Sequence, residues 1–211
     1  MTDPMAENEF EREAPRVVRP WEVIARRETL DRRPYAVITD QDLRLPDGSI
    51  VTDFLRITLR PFVNIFAVVD VSIDGDKADG PWVPLVKQYR VGAEAISIEL
   101  PAGAINPGEL PLLAAQRELL EETGLAASHW QPLGKFFMDS NYEAGIGHFY
   151  LATGAHPVPK PEQPGHGDLG DLVSQWLPLA EVRRLWHDGT ISSAPTALSI
   201  ALALQRFDLK A

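Results

Sequence analysis

The sequence predicts an α+β fold that begins with a small antiparallel β unit. Most stretches rich in β-branched and aromatic residues fall before residue 101, and clusters of Gly, Pro and Asp separate them. The clearest helical periodicity comes later, at residues 111–123, and two further helical segments follow near the C-terminus. With 211 residues, the chain is long enough for one large domain or for one domain with a small additional unit.

The first 60 residues divide into a tail and the β unit. Residues 1–19 combine acids, bases and prolines with few large apolar side chains, so we expect a mobile tail. Residues 20–60 form the predicted β unit, with strands expected at residues 21–27, 35–39 and 50–59. The turn sequence Pro46-Asp47-Gly48 separates the second strand from the third. Two or three strands are marginal in water, so we expect this unit to pair with another surface.

The remaining residues, 61–211, are predicted to form the main domain. Strands are expected at residues 64–73, 82–89, 96–100, 133–138, 148–152 and 175–177, and helices at residues 111–123, 180–187 and 194–207. Residues 156–171 form a connection rich in Pro and Gly that is long for a compact domain. Such connections are usually either functional loops or disordered segments.

The helix at residues 111–123 has sequence signals at both ends. Pro111 suits the first helical position, and Gly124 suits the position that follows the end. Leu112, Ala115 and Leu119 recur at helical spacing. We therefore expect these three side chains to form the buried face of the helix.

Composition and charge exclude several classes of function. The chain has 30 acidic and 20 basic residues, and its formal net charge of −10 makes it a poor candidate for binding nucleic acid or an anionic membrane. It has no cysteine, which excludes disulfides and thiolate metal sites and is compatible with a cytoplasmic location. No apolar run approaches the roughly 18 residues of a membrane span. The charged N-terminus does not match a secretory signal.

Three acidic residues of the predicted helix share one face. Glu118, Glu121 and Glu122 stand at i, i+3 and i+4, where like charges repel by a few tenths of a kcal/mol. They also lie near the helix C-terminus, where the macrodipole disfavours anions. A divalent cation such as Mg²⁺ or Mn²⁺ would reverse this cost, because it prefers oxygen ligands. The alternative is a solvated acidic face in which Arg117 pairs with Glu121.

The residues around these acids follow a longer pattern. It reads Gly, five residues, Glu, seven residues, Arg-Glu, an apolar residue, any residue, Glu-Glu, any residue, Gly and an apolar residue. Its defined positions are Gly103, Glu109, Arg117, Glu118, Leu119, Glu121, Glu122, Gly124 and Leu125. This stretch resembles the signature box of the Nudix hydrolases. The segments 88–90 (Gln-Tyr-Arg) and 99–103 (Glu-Leu-Pro-Ala-Gly) are similar to the ADP-ribose pyrophosphatase branch of that family.

This resemblance implies a Nudix fold, which is an α/β/α sandwich with a mixed β-sheet, and an enzyme that hydrolyses a phosphoanhydride with Mg²⁺. The implied metal ligands are Glu118, Glu122, the backbone carbonyl of Ala102, and Glu121 as a third ligand or as a proton acceptor. Arg117 would orient the carboxylates, Glu109 would fix the loop, and Gly103 would permit a tight turn. Bound metal would neutralise the diphosphate and lower the pKa of a water molecule.

The catalytic base and the substrate are less fully specified. The branch often carries an extra catalytic glutamate in the loop before the last strand, where Asp168 and Asp171 are the candidates in this chain. Arg56 and Arg90 are candidates for binding the substrate. ADP-ribose, split into AMP and ribose 5-phosphate, is the leading substrate, but Asn141 stands where ADP-ribose-specific members often have proline.

Alternatives to this function remain open within and outside the same chemistry. Another nucleotide sugar or a nucleoside triphosphate could be the substrate. A Nudix-like module that senses a nucleotide without cleaving it is a further alternative, although such a module has no need of all three glutamates. The resemblance also implies a homodimer, in which the N-terminal β unit contacts the second copy and contributes to the nucleotide site. We expect Arg56 to be the residue of this unit that lines the site.

Overall fold

The N-terminal β unit is a separate antiparallel sheet of three strands. The computed structural model describes residues 17–69, 81–143, 145–159 and 172–208. The strands are β1 (Glu22–Arg32), β2 (Ala36–Arg44) and β3 (Ile50–Leu59), and they pair in the order β1-β2-β3. All three predicted strands are present, and β1 and β2 extend further toward their C-terminal ends than the sequence indicated. The first 16 residues of the predicted tail lie outside the described residues.

A larger mixed sheet forms the centre of the main domain. Its strands are β4 (Phe62–Val69), β5 (Trp82–Arg90), β6 (Ala95–Glu99), β7 (Ala102–Ala104), β8 (Leu125–Phe137), β9 (Ile146–Pro157) and β10 (Val173–Pro178). The main path runs β10-β5-β4-β9-β8, while β6 pairs with β5 and β7 pairs with β4. The pairing of β4 with β9 is parallel and the other pairings are antiparallel, so the sheet is mixed.

Helices cover both faces of this sheet. They are α1 (Pro111–Thr123), α2 (Leu179–His187) and α3 (Ala194–Asp208). Successive residues of β4 point to opposite faces. Phe66 and Val68 pack in one apolar cluster with side chains of α2 and α3, whereas Val63 and Ile65 pack in a second cluster with side chains of α1. The expected α/β/α sandwich, preceded by a small antiparallel β unit, is therefore confirmed.

The buried face of α1 differs in part from the prediction. Ala115 and Leu119 are fully buried, but Leu112 is 37% exposed and Ala114 is buried instead. The expectation for Leu112 was wrong because the side chains of α1 that pack in the apolar cluster against the sheet are Ala114, Ala115 and Leu119, and Leu112 is not among them. The C-terminal end is as expected: Gly124 adopts a left-handed φ of 71°, and its N–H donates to the Leu120 carbonyl at 2.9 Å.

Two strands exceed what the sequence indicated. The three-residue β7 was not expected, because an Ala-Gly-Ala stretch after Pro101 has no strand signal of its own. β8 begins at Leu125 rather than at residue 133, since pairing with β9 overrides the weak local preference of its first half. Residues 156 and 157 of the predicted loop belong to β9, and residues 160–171 lie outside the described residues.

None of the described helices is both long and apolar enough to cross a membrane.

Candidate active site

The short strand β7 brings the start of the signature box, which spans residues 103–125, against helix α1. β7 is held to β4 by pairing of Gly103 with Val63 and of Ala102 with Asn64. The carboxylate of Glu122 accepts a hydrogen bond from the Ala102 N–H at 2.9 Å, and Glu122 is only 7% exposed. Two of the acids predicted to bind metal, Glu118 and Glu122, therefore lie against neighbouring residues of one strand.

Gly103 is required for close approach rather than for a tight turn. Its φ is not in the left-handed region, so the expected turn role was wrong. A Cβ built at this position would overlap the carboxyl group of Glu118. The absence of a side chain at Gly103 therefore leaves the space that the Glu118 carboxylate occupies.

Arg117 connects the acids of the box. Its guanidinium donates to both carboxylate oxygens of Glu109 at 2.9 and 2.8 Å, to Glu118 at 2.6 Å and to Glu121 at 3.2 Å. A further hydrogen bond at 3.1 Å reaches the Ala104 carbonyl in β7. Arg117 thus balances the repulsion among three carboxylates, which is more than the single pair with Glu121 that a solvated acidic face would need.

The electrostatics of this network favour the charged forms of Glu109 and Arg117. Hydrogen bonds from Arg117 lower the pKa of Glu109 to about 2 against an opposing effect of burial, with a smaller contribution from the Asn106 N–H. Hydrogen bonds to Glu109, and to a smaller extent to Glu118, raise the pKa of Arg117 above its ordinary value. Glu109 also accepts from the Asn106 N–H at 2.9 Å, which holds the loop before α1 closed on itself.

The acids beside β7 offer the oxygen donors that hard divalent cations prefer. Among the residues that the structure describes, no group of three or more His, Cys, Asp or Glu side chains is arranged to hold a metal ion. The side chain of Glu121 is 38% exposed, whereas that of Glu118 is 13% exposed and lies against β7. Mg²⁺ usually takes one or two carboxylates together with substrate phosphates. Glu118 and Glu122 have the carboxylate oxygens that such a site needs, and the assignment of Glu118, Glu122, Ala102 and Glu121 as ligands stays a prediction.

A pocket of about 280 Å³ lies on the other side of β7. The three residues of β7 form one wall, and Ser193 and Pro195 at the start of α3 contribute to another. Arg90 also lines the pocket and gives three hydrogen bonds of 2.6–3.2 Å to Glu99, which is 8% exposed. The positive charge of Arg90 is therefore balanced by a buried carboxylate.

Asn64 is a pocket residue that sequence reasoning missed. It lies in β4 among apolar residues, is 1% exposed, and its Oδ1 has no hydrogen-bond partner. Leaving a buried carbonyl oxygen without a partner costs about 1–3 kcal/mol. The sequence signal was a single polar residue inside the apolar run 62–69, where a polar side chain has no structural advantage.

The other candidate substrate residue, Arg56, lies apart from this pocket. It forms an ion pair with Glu143, and the neighbouring Ile57 N–H donates to the Tyr142 carbonyl at 2.8 Å. These contacts attach β3 of the N-terminal unit to the loop after β8. The structure therefore does not bring Arg56 together with Arg90 in one pocket wall. The candidate bases Asp168 and Asp171 lie outside the described residues.

Comparisons with known proteins agree on one family. The model of the NUDIX domain matches residues 65–195. An ADP-ribose pyrophosphatase of Mycobacterium tuberculosis is 35% identical over 177 residues, covering 83% of this chain and 77% of that protein. The ADP compounds hydrolase NudE of Escherichia coli is 28% identical over 83% of this chain and 87% of its own length. A crystal structure of an ADP compounds hydrolase superposes with a TM-score of 0.70 at 21% identity, over 92% of this chain and 98% of that one.

Proposed function

The chain belongs to the NUDIX family of hydrolases, and from this premise we propose that it splits the pyrophosphate bond of a nucleoside diphosphate linked to another group, with Mg²⁺ as cofactor. ADP-ribose, giving AMP and ribose 5-phosphate, is the leading substrate, in agreement with the names of the similar proteins. The observation that carries the proposal is the placement of Glu118 and Glu122 against β7 with Arg117 holding the neighbouring acids. The absence of cysteine is compatible with the cytoplasmic location that we propose.

Each residue of the network has a separate part in this proposal. Glu118 and Glu122 bind the cation, which when bound neutralises the diphosphate and makes a water molecule more acidic. Arg117 orients the carboxylates, and Glu109 keeps Arg117 in place. The proton of the attacking water passes to Glu121 or to an acid of the loop, Asp168 or Asp171.

The pocket beside β7 favours a nucleotide sugar over a nucleoside triphosphate. An additional phosphate there would meet the buried carboxylate of Glu99 and an arginine whose charge is already balanced. A hydroxylated group suits the same surroundings better, because Asn64 gives the pocket wall a neutral polar side chain while Phe62 offers an apolar surface to a sugar ring. We propose that Arg90 contributes N–H donors to the same group.

We also propose that the protein is a homodimer formed through the N-terminal β unit. A sheet of three strands buries little apolar surface by itself. Large apolar side chains of this unit remain at least 37% exposed; they are Trp21, Val23, Ile24, Leu30, Tyr35, Ile50, Leu55 and Leu59. A second copy of the unit would cover such a surface, and the ion pair of Arg56 with Glu143 would join that unit to the loop after β8.

The proposal is tested by comparing substrates and one pair of variants. Chromatography should show hydrolysis of ADP-ribose with a higher kcat/KM than that of ATP in the presence of Mg²⁺. Asn64→Leu should lower kcat/KM for ADP-ribose by about 2–10-fold, the range that one neutral hydrogen bond supports. Gln88→Leu is the matched control, because Gln88 is also a buried amide with an unpartnered atom but does not line the pocket.

Two results would contradict this account of the substrate. Preference for ATP over ADP-ribose would assign the chain to triphosphate chemistry. Equal effects of the Asn64 and Gln88 variants on ADP-ribose would show that the pocket does not receive the sugar.

A further inference from the structure

Arg60 occupies the connection between the N-terminal β unit and the central sheet. It lies after β3 and before β4, and it belongs neither to the sequence box nor to the pocket beside β7. One terminal nitrogen of its guanidinium donates to the Ile105 carbonyl at 3.3 Å and to Asn106 Oδ1 at 3.1 Å. The adjacent Pro61 carbonyl accepts from the Ile105 N–H at 2.9 Å. Arg60 and Pro61 therefore both bind the backbone of Ile105 in the loop between β7 and α1.

The residue that Arg60 holds is linked directly to the acidic network. The Asn106 N–H donates to Glu109 at 2.9 Å, and the Asn106 carbonyl accepts from the Glu109 N–H at 3.0 Å. Glu109 in turn binds Arg117 through both carboxylate oxygens, and Arg117 binds Glu118 at 2.6 Å. A continuous series of hydrogen bonds therefore runs from Arg60 to a carboxylate that faces β7.

Arg60 is partly buried, and the burial of its Nε has an energetic cost. Its Nε is buried and has no hydrogen-bond partner, while the neighbouring terminal nitrogen is committed to the loop. An unpartnered buried N–H costs about 1–3 kcal/mol. A shorter or apolar side chain would avoid that cost and would leave the loop carbonyl and Asn106 without their partner.

We propose that Arg60 is a positioning residue for the metal-binding carboxylates, acting through Asn106, Glu109 and Arg117. This inference rests on the proposed metal site at Glu118 and Glu122. Outer partners of metal ligands commonly change metal affinity by about 10–100-fold when they are lost. Arg60 is more distant from the ligands than such partners, so a smaller effect is expected.

The test measures Mn²⁺ binding by electron paramagnetic resonance of the free ion, without substrate or turnover. Arg60→Met keeps the apolar stem and removes the guanidinium, and it should raise the Kd for Mn²⁺ by about 3–10-fold. Arg60→Lys should recover part of the affinity, because an ammonium can still donate to one of the two acceptors. The matched control is Arg44→Met, which removes an exposed ion pair with Glu22 from the β unit and should leave the Kd unchanged.

A second variant separates positioning from folding. Asn106→Ala removes the exposed acceptor of Arg60 but keeps the backbone N–H that binds Glu109. Arg60→Met and Asn106→Ala should be non-additive in Mn²⁺ affinity, because both interrupt the same series of contacts. A lower Tm with an unchanged Kd in both variants would show that Arg60 is only structural and would overturn the inference. Absence of saturable Mn²⁺ binding in the unaltered protein would instead overturn the metal site itself, and this inference with it.

Discussion

Substitution of Gly103 by alanine separates the fold from the metal site. The new Cβ would overlap the carboxyl group of Glu118, whereas the φ of Gly103 lies outside the left-handed region and accepts alanine without backbone strain. The obstacle is the end of a flexible side chain rather than backbone, so the carboxylate is expected to move and the fold to persist. Gly103→Ala should therefore damage activity far more than stability.

The magnitude of each effect follows from the contacts that Glu118 makes. Moving its carboxylate breaks the 2.6 Å bond from Arg117, and hydrogen bonds to charged groups contribute about 1.5–3 kcal/mol. The side chains of Arg117 and Glu118 are 27% and 13% exposed, so we take the lower end of this energy range. That value corresponds to a Tm loss of roughly 3–6 °C for a chain of this size. Loss of one of the two carboxylates proposed as ligands should cost more than loss of an outer partner does, so kcat/KM should fall by about 100-fold or more.

The assay combines thermal unfolding with kcat/KM for ADP-ribose at saturating Mg²⁺. Gly92→Ala is the matched control, because Gly92 has an ordinary φ and a Cβ there would have no neighbour within 4 Å. This control should match the unaltered protein in both measurements. A Gly103→Ala protein that keeps its full kcat/KM would refute the assignment of Glu118 as a metal ligand.

Three further predictions concern the loop acids, the dimer and acid stability. Asp168→Asn or Asp171→Asn should lower kcat much more than it weakens substrate binding, and full kcat in both single variants and the double variant would leave Glu121 as the candidate base. Sedimentation at micromolar concentration should show a dimer, and a stable monomer would contradict the proposed role of the β unit. The pKa of Glu109 is lowered from 4.5 to about 2, so its contribution to stability is present above pH 4.5 and is lost as the pH falls toward 2. In urea unfolding, the stability difference between the unaltered protein and Glu109→Gln should therefore shrink across that interval.

Local patterns predicted the elements whose signals lie within a few residues of one another. The bounds of α1 follow from Pro111 and Gly124, because one fits the first turn and the other adopts the left-handed cap. Leu112 was misplaced because periodicity gives a helical face but not which residues near the edge of that face pack against the sheet. β7 has no local signal, since three small residues become a strand only through pairing with β4.

The site was predictable in its residue types and not in its contacts. The spacing of the acids placed Glu118, Glu121 and Glu122 on one face, and the family resemblance implied Glu118 and Glu122 as the main ligands. Only the fold shows that Gly103 makes room for Glu118 and that the Ala102 N–H binds Glu122. Arg60 could not be identified from the sequence, because it lies 46 positions from Asn106 and an isolated arginine before a proline indicates nothing about its partner. Asn64 was detectable as a polar residue in an apolar run, although its position beside the pocket was not.

The central claim is that Glu122 binds a catalytic cation, and the most direct test is the kcat of Glu122→Gln with ADP-ribose and Mg²⁺. A glutamine oxygen can still accept from the Ala102 N–H, so the fold should be kept, while a neutral amide is a poorer ligand for Mg²⁺. The unaltered protein should release AMP and ribose 5-phosphate in equal amounts, and the variant should be slower by orders of magnitude with a nearly unchanged Tm. Wild-type kcat in the variant, or no hydrolysis by the unaltered protein despite nucleotide binding, would contradict the claim.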